Sequence, residues 1–174
     1  LTSSPEYQAC SAVLFEWAES YDSKDWARLR TCVAPTLRID YTSFLNQSWD
    51  AMPAADFVAM ASSPAVLGSP TLRTQHMIGA SRWEKTAPDL ITGYHQLRVP
   101  HQRYADAACS QVLVKGHAHS SNTHWYRRVD GRWKFAGLRP DIRWSEYDFE
   151  AVFAAGREEM AAQTAERASG VPSK

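Results

Sequence analysis

The hydrophobic period of this chain changes once, near Pro70, and that change constrains the fold more than any other feature. Before it, Cys10, Val13, Leu14, Trp17 and Tyr21 recur at three- and four-residue steps, the stripe of one buried helix face. Ser3-Ser4-Pro5-Glu6 reads as the start of that helix, with proline in the first turn. Asp22-Ser23 interrupts the stripe and reads as the cap of a second short helix over 24–30. Pro35 ends helical character, 37–41 alternates like a strand, and 53–61, carrying Phe57, Val58 and Met60, predicts another helix. After Pro70 the period is two. Segments 74–85, 90–103, 111–129 and 132–143 read as four consecutive strands, with turn signals at Pro88-Asp89 and Asp130-Gly131. Helical spacing returns with Tyr147, Phe149, Val152, Phe153, Gly156 and Met160, and a polar tail follows from about residue 163. Helices, then a long antiparallel sheet, then a closing helix predict an α+β fold. Neither a repeat nor a linker divides the chain, so it reads as one domain over 1–174.

Charge narrows the function. Lysine plus arginine and aspartate plus glutamate both number 19, a net charge of zero. A nucleic-acid binder would show a basic excess or stripe, and a membrane-surface protein a polybasic one. No apolar run approaches the roughly 20 residues that cross a bilayer, and the first thirty residues lack the pattern of a secretory leader. The expectation is a soluble, cytoplasmic protein that binds neither nucleic acid nor membrane. Cys10, Cys32 and Cys109 are odd in number and scattered, which fits a reducing compartment better than a disulfide framework. Seven tryptophans, seven tyrosines and six phenylalanines suit either a well-packed core or a pocket for a flat ring.

Motifs of the common chemistries are missing: no phosphate loop, no nucleophile elbow, no HExxH and no dinucleotide fingerprint. His117 and His119 share one strand face, but no carboxylate or cysteine lies near them in sequence, so no metal is expected. What remains is dispersed. Tyr21-Asp22 ends the first helix, Tyr41 ends the first strand, and His76 and His101 lie near strand ends. Ser120 and Asn122 fall on the same strand face as Val112 and Val114 and interrupt an otherwise apolar stripe. Buried polar groups must find partners, which makes such interruptions informative. Each residue alone also has an ordinary reading: a strand histidine is commonly a satisfied core or surface group, and Tyr-Asp a helix stop. Residues alone reach an α+β domain with an aromatic pocket and an acid–base pair.

The same residues carry a family resemblance. Stretches 16–26, 34–41, 71–76, 93–104, 115–120, 133–138 and 140–144 resemble scytalone dehydratases; they include Tyr21-Asp22, Leu37-Arg38-Ile39-Asp40-Tyr41, Thr74-Gln75-His76 and Val99-Pro100-His101. The likeness runs over roughly 13–160, and departs from the family at 105–110 and in the tail beyond Met160. It implies a cone-shaped α+β barrel of the cystatin-like, nuclear-transport-factor-like type. N-terminal helices would pack on a curved mixed or antiparallel sheet, the C-terminal helix would act as a lid, and the chain would assemble as a homotrimer. It further implies a lyase of polyketide melanin synthesis, in secondary metabolism, that uses no cofactor. Such an enzyme dehydrates scytalone to 1,3,8-trihydroxynaphthalene and vermelone to 1,8-dihydroxynaphthalene, and association with pigment-synthesis vesicles is left open. By the resemblance His76, His101, Asp22, Tyr21 and Tyr41 are catalytic. Ser120 and Asn122 hold substrate hydroxyls, with Phe44, Phe149 and Phe153 as walls and Met60, Val66 and Val99 as apolar lining.

The residue types suit that chemistry. Loss of the α-proton of a β-hydroxy ketone gives an enolate, which expels the hydroxyl. Tyrosine hydroxyls can donate where enolate charge develops. Imidazole titrates near neutrality and can take the proton. A carboxylate such as Asp22 can fix its tautomer. In a syn elimination the same imidazolium returns the proton to the departing hydroxyl. Two other readings stand beside this one: a dehydratase of another aromatic polyketide pathway, and a non-catalytic ligand- or protein-binding module of the same fold.

Overall fold

A computed structural model of the chain describes residues 4–154. Helix α1 (Pro5–Ser23) places Pro5 in its first turn, where a missing amide costs nothing, and buries Cys10, Leu14, Trp17, Ala18 and Tyr21 along one face. It stops at Lys24, whose φ of 59° turns its amide back to the carbonyls of Ser20 and Tyr21. Helix α2 (Trp26–Cys32) is capped by Asp25, which accepts from the Arg28 amide at 2.9 Å. Asp22-Ser23, expected to supply that cap, does not, because the Asp22 carboxylate is engaged by His76, 54 positions away.

Strand β1 (Val33–Asp40) begins earlier than expected and runs through Pro35. Its pairing with β2 starts only at Thr36, and its register with β7 shifts between Val33 and Arg38, so Pro35 sits where the ladder is irregular. Helix α3 (Thr42–Leu45), strand β2 (Ser48–Pro53) and helix α4 (Ala54–Ser62) follow. Strand β2 was not expected: it is short and buries only Met52, so it shows no alternation. The rest of the sheet is β3 (Leu72–Thr74), β4 (Met77–Ala87), β5 (Leu90–Tyr104), β6 (Val112–Val129) and β7 (Arg132–Tyr147), before helix α5 (Phe149–Val152).

The sheet order is β2-β1-β7-β6-β5-β3, with β4 pairing along the other stretch of β5. Every pair is antiparallel except β1 with β7, which makes the sheet mixed. Register shifts in the β6–β7 ladder after His119 and Trp125 are bulges that bend the long strands. Gly137, at φ 139°, lets β1 approach: a Cβ there would fall 1.9 Å from the Arg38 carbonyl oxygen. One sheet face then receives α1 and α4. Trp17 stacks on Phe135 at 5.4 Å and 13°, with Phe57, Val58, Leu97 and Tyr126 in the same core. Gly156, Met160 and the polar tail, part of the closing helix expected from the sequence, lie outside the described residues.

Candidate active site

Between α1, α4, α5 and this sheet face lies a cavity of about 400 Å³, within the range of small-ligand sites. Its main polar feature, the His76–Asp22 pair, starts from a broken strand. Segment 74–85 was expected as one strand, but the chain leaves the ladder at Gln75-His76 between β3 and β4. The His76 amide donates to Asp22 Oδ2 at 2.7 Å, which draws this backbone out of the sheet. The His76 ring follows, its Nδ1 2.7 Å from Asp22 Oδ1, while Thr74 Oγ1 donates to the same oxygen at 2.8 Å. Partial burial pushes the Asp22 carboxyl up, but the hydrogen bonds and charge of His76, with the Thr74 bond, outweigh it and hold the group below its usual range. An ionised Asp22 therefore accepts a hydrogen bond from Nδ1–H and leaves Nε2 as the unprotonated nitrogen. Trp17 and Tyr21 meet the ring edge-on at 5.2 and 5.4 Å and fix its plane.

His101 lies opposite Thr74 in the β3–β5 register, which brings it to the same cavity. Burial, and then the charge of His76, pushes its imidazole down to about 3, so it is neutral at physiological pH. Its Nδ1 is buried without a hydrogen-bond partner among the described residues. Tyr21 and Tyr41 are raised above the usual phenol range, both chiefly by burial, and stay protonated donors. Tyr41 is held by its backbone: its amide donates to Gln47 and its carbonyl accepts from Leu45, at 2.9 and 2.8 Å.

Aromatic walls complete the cavity. Phe149 and Phe153 flank the His101 ring at 5.4 and 5.0 Å, and half-exposed Phe44 packs against Tyr41 at 5.0 Å. Helix α5 reaches this position because Gly116 has no side chain; a Cβ there would lie 2.2 Å from Phe149 Cα. Arg103 Nε and Nη2 donate to the Val152 carbonyl at 3.2 and 3.0 Å and tie the helix down. His76, His101, Tyr21, Tyr41, Phe44, Met60, Val66, Val99, Ser120, Asn122, Phe149 and Phe153 all line this one cavity, and Asp22 stands behind His76. Trp17, Leu97, Ala118, Leu138, Pro140 and Ile142 line it too and were missed. Leu97 and Ala118 stand two positions from Val99 and Ser120, so strand alternation alone could have found them. On the other sheet face, β7 brings Glu146 to His117 and His119 at 3.0 and 3.1 Å, and Arg98 donates to the same carboxylate oxygen at 3.0 Å.

A histidine–carboxylate pair and two neutral phenols thus share one aromatic cavity. The family model described as scytalone dehydratase matches residues 2–160. The chain belongs to the scytalone dehydratase family. It is 65% identical to the scytalone dehydratase of Colletotrichum orbiculare over 153 residues, 88% of this chain and 81% of that protein. To the scytalone dehydratase of Pyricularia oryzae it is 63% identical, over 88% of this chain and 89% of that one. Solved structures share its fold at much lower identity. The Kfla4162 protein of Kribbella flavida superposes with a TM-score of 0.72 at 15% identity, over 85% of this chain and 96% of that one. A cystatin-like-fold protein of Nostoc punctiforme does so with a TM-score of 0.53 at 11% identity, over 78% and 90%. The scytalone dehydratase fold of this chain is thus the cystatin-like α+β architecture, with helices on a curved mixed sheet. No helix among the described residues is long and apolar enough to cross a membrane.

Proposed function

We propose that this chain is a hydro-lyase that removes water from a β-hydroxy ketone of the scytalone type, by acid–base elimination on His76. The observation that carries this reading is the His76–Asp22 pair, 2.7 Å apart, inside an aromatic cavity that also presents Tyr21 and Tyr41. Nε2 of His76 takes the α-proton, and Asp22 stabilises the imidazolium that forms. The carbonyl oxygen becomes an enolate oxygen, to which the two phenols donate, directly or through a water. Collapse of the enolate forms the ring double bond and breaks the carbon–oxygen bond of the hydroxyl. Imidazolium then returns its proton to that hydroxyl, water leaves, and His76 is neutral again. His101, neutral at this pH, acts as a hydrogen-bonding group and not as the proton source. Ser120 and Asn122 hold substrate hydroxyls, and the phenylalanines clamp the flat bicycle and exclude water. The enone so formed tautomerises, a ring CH2 proton moving to the carbonyl oxygen, to give a naphthol, so aromatisation drives the reaction and no electron carrier is called for.

For assembly we propose a homotrimer. The register aligns Met77, Arg98, His119 and Trp144 in one row across four strands, and Met77 and Trp144 in that row are about half exposed, at 49% and 54%. Exposed apolar groups on a sheet face favour self-association, and multi-angle light scattering should give three times 19.6 kDa. Turnover of scytalone, vermelone and a tetralone alcohol by the purified protein tests the activity. Turnover of the first two supports the reading. Turnover of the third alone points to another aromatic polyketide, and binding without turnover of any to a ligand-binding module.

A further inference from the structure

Below Asn122 the inner face of β6 carries His124 and Tyr126, both fully buried, and β5 adds His95, 1% exposed. Three such polar side chains in an aromatic core call for partners, and they find one another. Asn122 Nδ2 is 3.5 Å from His124 Nε2, and His124 Nδ1 is 3.3 Å from Tyr126 Oη. Tyr126 Oη is 3.2 Å from His95 Nε2, and His95 Nδ1 is 2.9 Å from Oγ of Ser81, an exposed residue of β4. The fold makes room for this chain. Gly93 lies opposite His124 in the ladder, and a Cβ on it would come 2.4 Å from His95 Nε2. Trp17 and Trp83 meet the His124 and His95 rings edge-on at 4.8 and 4.9 Å and hold their planes.

Burial pushes His95 down to about 4 and His124 well below the usual imidazole range, so both rings are neutral. A neutral imidazole has one donor and one acceptor, and a phenol has one donor. Hydrogen bonds along the chain must therefore all point the same way. If they point outward, the Asn122 amide donates through Nδ2 and its Oδ1 is left over. If they point inward, His124 donates to the amide oxygen and Asn122 offers the cavity a donor instead. In the structure Nδ2 faces His124 and Oδ1 is buried with no partner among the described residues. An acceptor in that state is costly until something donates to it.

We propose that His124, Tyr126, His95 and Ser81 form a positioning relay that fixes the amide of Asn122 so that its Oδ1 accepts a hydrogen bond from a substrate hydroxyl. The proposal rests on the reading of Asn122 as a substrate contact. It assigns these four residues no contact with the reacting atoms; they act through Asn122.

Nitrogen-15 NMR of the wild-type protein tests the direction of the relay without reference to activity. Protons on Nδ1 of both His95 and His124 are expected, and protons on Nε2 overturn the proposal. Kinetics tests the consequence. Tyr126→Phe should lower kcat/KM for scytalone about tenfold, and Ser81→Ala, at the exposed end, should lower it two- to threefold without moving Tm. In an Asn122→Ala background both should change kcat/KM less than twofold. Effects that multiply with Asn122→Ala show a merely structural role and overturn the relay. Wild-type kinetics in Asn122→Ala alone overturns the reading of Asn122 instead, which separates the two failures.

Discussion

Acidification from pH 7 to pH 5 should destabilise this protein far more than its carboxylates would. The cause is buried imidazole. His101 is pushed down to about 3 and His95 to about 4, in each case first by burial, and His124 moves in the same direction. The unfolded chain holds these histidines near 6.5. Their folded values are depressed, so between 6.5 and the folded value the unfolded state binds protons that the native state refuses, and stability falls as pH falls. From pH 7 to 5 each such histidine costs about 2 kcal/mol, so His95 and His101 together cost about 4 kcal/mol. That is a large part of the roughly 5–15 kcal/mol that holds a domain folded. Asp22 and Glu146, also lowered on folding, contribute stability that is present above about pH 4 and lost only below it, so this window isolates the histidines. Urea melts followed by tryptophan fluorescence at pH 7, 6 and 5 measure the effect. With a slope of about 2 kcal/mol per molar, the midpoint should fall by at least about 2 M across the window, since His124 adds to the loss, and His101→Asn should remove about 1 M of that fall. A midpoint unchanged between pH 7 and pH 5 would refute the neutrality of these groups, and with it the directional relay below Asn122.

Other perturbations reach the site itself. Tyr41→Phe should lower kcat about a hundredfold while its melting temperature stays within a few degrees; unchanged kcat in steady-state assays would remove Tyr41 from the enolate site. Asp22→Asn, which keeps the shape but reverses the tautomer of His76, should lower kcat by about 10³–10⁴, and a loss below tenfold would show that Asp22 only braces the strand break. Gly116→Ala pushes against Phe149 Cα and should raise KM for scytalone about tenfold, with displaced density for α5 in a crystal structure as the direct check. Arg103→Ala frees the Val152 carbonyl. If α5 closes over substrate as a lid, this change raises KM several-fold with little loss of Tm, whereas a fall in Tm at unchanged KM marks it as a structural cap.

What the sequence discloses and what it hides follow from the range of the interactions. The stripe of α1 and the alternation of β5 to β7 are legible because each period is set by local geometry and by one buried face. Strand β2 is hidden because an exposed edge strand that buries only Met52 has no alternation to read. The break at Gln75-His76 is hidden for another reason: its cause, Asp22, sits 54 positions away on α1, and local pattern continues straight through it. The exchange of caps between Asp22 and Asp25 has the same origin, since either aspartate could cap α2 until His76 claims one of them. Site residues such as Phe44, Val66 and Phe153 came from family likeness, because nothing in their own neighbourhood marks an aromatic or aliphatic side chain as cavity wall. The polar interruptions at Ser120 and Asn122 were legible directly, yet the chain through His124, Tyr126 and His95 was not, because it crosses from β6 to β5 through a gap left by Gly93.

The central claim is that His76, oriented by Asp22, carries the proton through the elimination. It is tested most directly by steady-state turnover of scytalone with the wild-type chain and with His76→Asn, both verified as folded by circular dichroism. The wild type should release trihydroxynaphthalene and water, and His76→Asn should lose at least about a hundredfold in kcat, the scale of general acid–base catalysis. Turnover by His76→Asn at the wild-type rate would contradict the claim.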